Sequence, residues 1–231
     1  MSRRKTDFSP TAIDLFAGCG GLTEGLSHAG YKVLAAVEMN ELAVETYRAN
    51  HKSVHVEAKD ICFVSPKKLL REIGLKRGEL DLLAGCPPCQ GFSSLRTLNG
   101  SRTIRDKQND LIYQFLKFVR ILRPKTIMLE NVPGLMTDRR FKEFIHDIKI
   151  LGYKNPVFGL FNARDYGVPQ RRRRLIMMAS RLGKVVVPKR TRKTRTVRDA
   201  IQHLPAAGNS GDPPPVPEPI QTAGGTEPKP A

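Results

Sequence analysis

From Thr11 to about residue 180, short apolar runs alternate with segments whose apolar positions recur every three or four residues. Thr11-Ala12-Ile13-Asp14-Leu15-Phe16-Ala17 reads as a buried strand, Gly18-Cys19-Gly20-Gly21 as a turn, and residues 22–29 as a helix stopped at Gly30. Residues 32–37 form a second strand and 41–50 a helix patterned in Ala, Leu and Val. Val54-His55-Val56 is a short third strand, and Ser65-Pro66 opens another helix as cap and first helical residue. Leu80 to Ala84 is a fourth strand. Between Asp110 and Leu122 the pattern is strongly amphipathic, with Leu111, Phe115, Phe118, Val119 and Leu122 on one face. Thr126 to Leu129 is a fifth strand, Phe141 to Leu151 a helix, and 155–161 and 174–179 are two later strands. This alternation predicts an α/β fold, an open and mostly parallel sheet with helices on both faces. Ligands bind such sheets beyond the carboxyl ends of the strands, and the chain's candidate motifs fall at such ends.

Composition narrows the picture. The 231 residues are 40% hydrophobic and 26% charged, which suits a packed core. No run of about 18 apolar residues predicts a membrane span, and the basic lead-in at 1–10 precedes no uninterrupted apolar stretch of a secretory signal. Four irregularly placed cysteines point to a reducing compartment rather than a disulfide framework. The net charge is +17, which favours a polyanionic partner but does not separate nucleic acid from an anionic membrane. Residues 164–198 hold 13 of the 39 basic residues against one acid, Asp165, so this stretch reads as a phosphate-backbone track, with a solvated basic face as the alternative. Residues 181–204 form a basic connecting segment. The last 27 residues, 205–231, contain eight of the 17 prolines and no Leu, Phe or Met, and are expected to be disordered or extended.

Five blocks carry candidate chemistry. Asp14 to Gly21 is a strand running into a glycine-rich turn and a helix, either a tight connection or a ligand cradle; it lacks the Gly-x-Gly-x-x-Gly spacing of dinucleotide folds. Glu38 ends the second strand, where a carboxylate can take both ribose hydroxyls of an adenosine-type cofactor. Asp60-Ile61 follows the third strand, where the acid either meets an adenine amino group or caps a turn. Cys86 and Cys89 follow the fourth strand in Gly85-Cys86-Pro87-Pro88-Cys89-Gln90-Gly91-Phe92-Ser93. Neither Cys19 nor Cys62 is spaced as a second zinc pair, and no metal site is expected; redox use remains the alternative to a single nucleophilic cysteine. Glu130 in Glu130-Asn131-Val132-Pro133-Gly134 either caps the next segment or manages a proton on a substrate ring nitrogen. In Gln170-Arg171-Arg172-Arg173-Arg174-Leu175, strand alternation sends Arg172 and Arg174 to one face and Arg171 and Arg173 to the other.

The ordered blocks DLFAGCGG, VEMN, GCPPCQGFS, ENVPG and YGVPQRRRR closely resemble the DNA cytosine-5 methyltransferases over residues 11 to about 180. The resemblance implies an S-adenosylmethionine-dependent, Rossmann-like methyltransferase fold, with 11–180 as cofactor-binding and catalytic domain. It makes Cys89 the nucleophile toward carbon 6 of a flipped-out cytosine and Glu130 the partner of ring nitrogen 3, with Arg172 and Arg174 on the base carbonyl and adjoining phosphate. S-adenosylmethionine would lie against Phe16, Gly18 and Gly20, with Glu38 on its ribose, Met39 beside the adenine, Asp60 and Ile61 at the rim, and Pro88 and Leu111 closing the pocket. Ser93 to Gln108, carrying Arg96, Arg102 and Arg105, is similar to the family's catalytic loop; Ser93, these three arginines, Gln170, Arg171 and Arg173 are the implied contacts to double-stranded DNA. No segment resembles the family's target-recognition region, so the expected chain is a split or truncated catalytic part, with a second subunit as possible partner. An inactive nucleic-acid-binding remnant and a transfer-RNA cytosine-5 methyltransferase are the other readings. A bacterial restriction-modification enzyme, cytoplasmic and working on the nucleoid, is the implied setting.

Overall fold

The computed structural model describes residues 9–88, 111–191 and 193–205. Cys89, Ser93, Arg96, Arg102 and Arg105, with the loop expected at 93–108, lie outside the described residues, as do the start of the lead-in and residues 206–231 of the tail.

Seven strands form one sheet in the order β3-β2-β1-β4-β5-β7-β6. They are β1 (Thr11–Leu15), β2 (Lys32–Glu38), β3 (His55–Ala58), β4 (Leu82–Gly85), β5 (Thr126–Asn131), β6 (Val157–Asn162) and β7 (Arg173–Ser180). β1 to β5 pair in parallel, while β7 runs antiparallel between β5 and β6. The helices are α1 (Gly21–His28), α2 (Glu41–Asn50), α3 (Pro66–Glu72), α4 (Leu111–Leu122), α5 (Arg139–Ile150) and the short α6 (Val197–Ile201). The expected mostly parallel sheet is therefore present. No helix among the described residues is long and apolar enough to cross a membrane.

Strand alternation distributes the core over two faces. Ile13, Leu15, Val37, Leu83, Ile127 and Leu129 pack with Leu69 and Leu70 of α3, Phe115, Phe118 and Leu122 of α4, and Phe141 and Phe144 of α5. On the opposite face Ala12, Val33, Leu82 and Ala84 meet Leu26 of α1, and Ala36 meets Tyr47 of α2. The face expected for α4 is the buried one, with Leu111 at its half-buried rim. Helix starts follow local chemistry: Asn40 accepts from the Ala43 N–H at 2.9 Å, Ser65 precedes Pro66, and Asp138 caps α5.

Two boundaries differ from the sequence reading in ways that matter. β5 runs on through Glu130 and Asn131, because β7 supplies pairing partners Ile176 and Leu175 to both. Glu130 is thus a strand residue, not a cap. β7 begins only at Arg173, so the alternation expected for four arginines applies to Arg173 and Arg174 alone; Arg171 and Arg172 belong to the approach to the strand.

At the amino ends, Asp81 clamps three strands. Its Oδ2 accepts from the Thr11 N–H and hydroxyl at 2.7 and 2.9 Å, and its Oδ1 meets Lys125 Nζ at 2.7 Å. Partial burial opposes its charge, but the Lys125 ammonium and the Thr11 donors outweigh it and hold its pKa below the usual carboxylate value.

At the carboxyl end of β4, a Cβ on Gly85 would stand 2.8 Å from the Leu15 carbonyl oxygen and 3.0 Å from Phe115 Cε2. The carbonyl belongs to the neighbouring strand and cannot turn aside. Gly85→Ala is expected to destabilise the chain by about 2 kcal/mol, read as a lowered denaturation midpoint with unchanged slope.

Candidate active site

The site is built on the turn that follows β1. Phe16, Gly18 and Gly20 have φ of 60°, 54° and 96°, so the chain turns through three left-handed residues before α1 begins. A Cβ at Gly20 would lie 2.4 Å from His51 Nε2, which makes glycine obligatory there on both counts. The α1 N-terminus has no side-chain cap from Gly20. Carboxylates from the sheet serve the turn instead. Glu38 Oε2 accepts from the Gly18 N–H at 2.8 Å, and its Oε1 accepts from the Met39 and Asn40 N–H groups at 2.9 and 2.8 Å. Asp14 Oδ2 accepts from the Thr23 hydroxyl at 2.8 Å, itself 2.7 Å from the Tyr47 hydroxyl. Asp14 is fully buried and its Oδ1 has no hydrogen-bond partner. Burial pushes its pKa up to about 7; the Thr23 donors oppose the rise and nearby Glu38 adds to it.

Beside this turn lies a mostly apolar cavity of about 410 Å³. Of the residues expected to hold a cofactor, Phe16, Glu38, Met39, Asp60, Ile61, Pro88 and Leu111 line it. Gly18 and Gly20 stand behind it: Gly18 fixes Glu38, and Gly20 lets α1 approach α2. Asp60 settles neither alternative against the other, because its Oδ1 accepts from the Cys62 N–H at 2.8 Å while the residue also lines the cavity. Sequence reasoning missed Val37, Lys59, Cys62 and Cys86 in the wall; the position of Cys86 one residue after a strand end was the available signal. The cavity fits an adenosine-type ligand. Glu38 spends three acceptor contacts on backbone N–H groups and retains acceptor capacity for a ribose hydroxyl, while Phe16, Met39 and Ile61 offer apolar surface to a purine.

Next to the cavity, Arg174 Nε and Glu130 Oε1 are 3.0 Å apart, both side chains about three-quarters buried. Cys86 stands beside Glu130, and burial, with the Glu130 and Asp14 charges behind it, pushes the thiol pKa far up. A thiol held protonated is a poor nucleophile. Of the two cysteines in the motif, Cys86 is the one held in this state; Cys89 lies outside the described residues. Asn131 Nδ2 donates to the Pro87 carbonyl at 2.8 Å, tying the segment leading to Cys89 onto β5.

Gln170, Arg171, Arg172 and Arg173 are exposed on the approach to and first residue of β7, and the Arg172 charge bears on Cys86. Their loop is closed by Ala163 N–H to the Arg172 carbonyl at 2.9 Å and turned at Gly167, φ 87°. Among the described residues, His55, Glu57 and Glu72 bring possible ligand atoms within 4.8 Å of one another at the edge strand β3. There Lys59 and Lys68 already pair with the two carboxylates.

Fold and cavity together define an α/β protein with a nucleoside-type cofactor pocket at the carboxyl ends of its strands. A model of the C-5 cytosine-specific DNA methylase family matches residues 11–209, and the chain belongs to that family. S-adenosylmethionine is the family's methyl donor. The chain is 37% identical over 204 residues to the type II methyltransferase M.XorII of Xanthomonas oryzae pv. oryzae, covering 86% of this chain and 47% of that protein. It is 36% identical to M1.HphI of Haemophilus parahaemolyticus, covering 88% and 55%. It thus spans about half the length of these two relatives. A crystal structure of a DNA modification methyltransferase encoded within an E. coli prophage superposes with a TM-score of 0.71 at 28% identity, covering 86% of this chain and 56% of that one. Spodoptera frugiperda DNMT2 shares the fold, with a TM-score of 0.60 at 23% identity.

Asp14 makes a pH prediction. A carboxyl that titrates near 7 when folded and near 3.8 when unfolded binds its proton more tightly in the native state. Its effect is therefore neutral below pH 3.8 and increasingly destabilising as pH rises toward 7, then constant. Between pH 5 and 8 this costs about 2–3 kcal/mol. Unfolding free energies measured across that range should fall for the wild type, and Asp14→Asn should remove that part of the slope.

Proposed function

We propose that this chain transfers a methyl group from S-adenosylmethionine to carbon 5 of cytosine in double-stranded DNA, through a covalent adduct on Cys89. The observation that carries the reading is the Glu130–Arg174 pair beside a cavity whose wall includes Glu38, Asp60 and the segment leading into Cys89. The base is extruded from the duplex, because its ring faces are inaccessible inside the stack. Cys89, its thiol proton released to solvent, bonds through sulfur to carbon 6 while a proton carried in on Glu130 passes to ring nitrogen 3 and returns to Glu130 at the final elimination, so charge does not accumulate on the ring. Arg174 holds Glu130, and Arg172 engages the base carbonyl and the adjoining phosphate. S-adenosylmethionine, when bound, supplies an electrophilic methyl to carbon 5. Loss of the carbon 5 proton then expels Cys89 sulfur and restores the aromatic ring. Glu38 holds the cofactor ribose, Phe16, Met39 and Ile61 its adenine, and Asp60 the purine edge, with Pro88 and Leu111 closing the pocket over Gly18 and Gly20.

Ser93, Arg96, Arg102, Arg105, Gln170, Arg171 and Arg173 grip DNA in this reading, and residues 181–204 continue the basic track. The type II relatives support a place in a bacterial restriction-modification system, hence work on the nucleoid in the cytoplasm.

Tritium transfer from labelled S-adenosylmethionine to mixed-sequence duplex DNA, with transfer RNA alongside, tests the activity. Label is expected in the DNA; transfer to RNA only rejects DNA as substrate. Cys89→Ser should abolish both methyl transfer and covalent trapping on a 5-fluorocytosine duplex while leaving cofactor binding intact; trapping that survives rejects the mechanism. Glu38→Ala should weaken S-adenosylmethionine binding by about tenfold or more in calorimetry.

A further inference from the structure

The mechanism leaves one buried thiol unused. Cys86 follows β4 directly, and because Gly85 pairs with Leu129, its side chain stands next to Glu130 on β5. Its N–H donates to the Leu15 carbonyl at 3.2 Å, and the following Pro87 carbonyl is held by Asn131, so this stretch is anchored to β1 and β5. Cys86 also lines the cofactor cavity. The strand order β4-β5-β7 puts Glu130 in the middle, with Cys86 on one side and Arg174 on the other. Four charged or titratable groups bear on this spot from the elements around it: Asp14 from β1, Glu130 from β5, Arg174 from β7 and Arg172 from the approach to β7.

We propose that Cys86 is a positioning residue for Glu130: its S–H and the Arg174 guanidinium grip the carboxyl group from opposite sides and aim it before a base enters. This deepens the proposed function and rests on Glu130 engaging the substrate ring. Burial and the flanking carboxylates push the thiol pKa up, which favours the S–H form that can donate. A carboxyl group held by one partner alone swings about its side-chain torsions; a second partner on the opposite side removes that freedom, and orientation is what catalysis loses first.

The S–H stretching band of the full-length chain tests the contact without any need for turnover. The Cys86 band, assigned by its loss in Cys86→Ala, should lie low, as for a thiol donating to a charged acceptor, and should move up in Glu130→Gln. A band that Glu130→Gln leaves in place overturns the proposal. In whichever preparation transfers methyl, Cys86→Ala should lower kcat by about tenfold with the KM for cofactor nearly unchanged, and Cys86→Ser, which restores a donor, should recover most of it. Equal losses in both variants with a raised cofactor KM make Cys86 a packing residue and reject positioning. Trapping by Cys89 judges the underlying functional reading separately: an S–H band that responds in a chain that never traps keeps the contact and rejects the chemistry.

Discussion

The turn after β1 is the constraint on which the rest of the site depends. Three left-handed residues between Phe16 and Gly20, one of them Phe16 itself, are costly for an L-peptide, and the turn persists because its surroundings over-determine it. Glu38 reaches from β2 to take the Gly18 N–H, and Asp14 reaches from β1 to take the Thr23 hydroxyl on α1. Each carboxylate therefore ties a strand end to the glycine turn. In exchange the turn brings Glu38 to the cavity wall in a fixed orientation. The cavity is shaped before any ligand arrives, which limits the ordering that binding requires.

Charge is segregated by depth. Asp14 is fully buried and Glu130 about three-quarters buried, Glu38 and Asp60 line the cavity, and Gln170 and Arg171 to Arg173 are exposed, within a chain of net charge +17. A carboxylate-lined interior suits a cofactor bearing a sulfonium and an ammonium group, and a basic rim suits a polyphosphate. The same arrangement acts on Cys86, whose thiol pKa is pushed up by burial and by the Glu130 and Asp14 charges. Cys89 stands three residues further along, beyond the anchoring contact of Asn131 with Pro87.

Much of the architecture is legible in the sequence because it arises from local periodicity. The short apolar runs at 11–17, 32–37 and 126–129 and the period-3.6 face of Phe115, Phe118, Val119 and Leu122 depend only on which positions must be dry. Seven of the nine expected cofactor residues line the cavity, since strand ends in a parallel sheet converge on one edge whatever their order. Boundaries were less legible where pairing decides them. Glu130 lies inside β5 because the antiparallel β7 supplies its partner, and Arg172 falls outside β7 because pairing begins at Arg173. Local sequence carries no record of a partner 40 or more residues away.

The chain by itself thus determined which segments are strands and helices, which residues meet at the carboxyl edge, and the family to which their order belongs. Tertiary structure alone decided the rest. It set the order β3-β2-β1-β4-β5-β7-β6, which puts Glu130 between Cys86 and Arg174. It also decided that Asp14 is buried, with one oxygen unpartnered among the described residues, and that burial and neighbouring charge push up the pKa of a thiol one residue after β4. Burial and neighbouring charge set protonation, and both are properties of the packed arrangement that no single segment possesses.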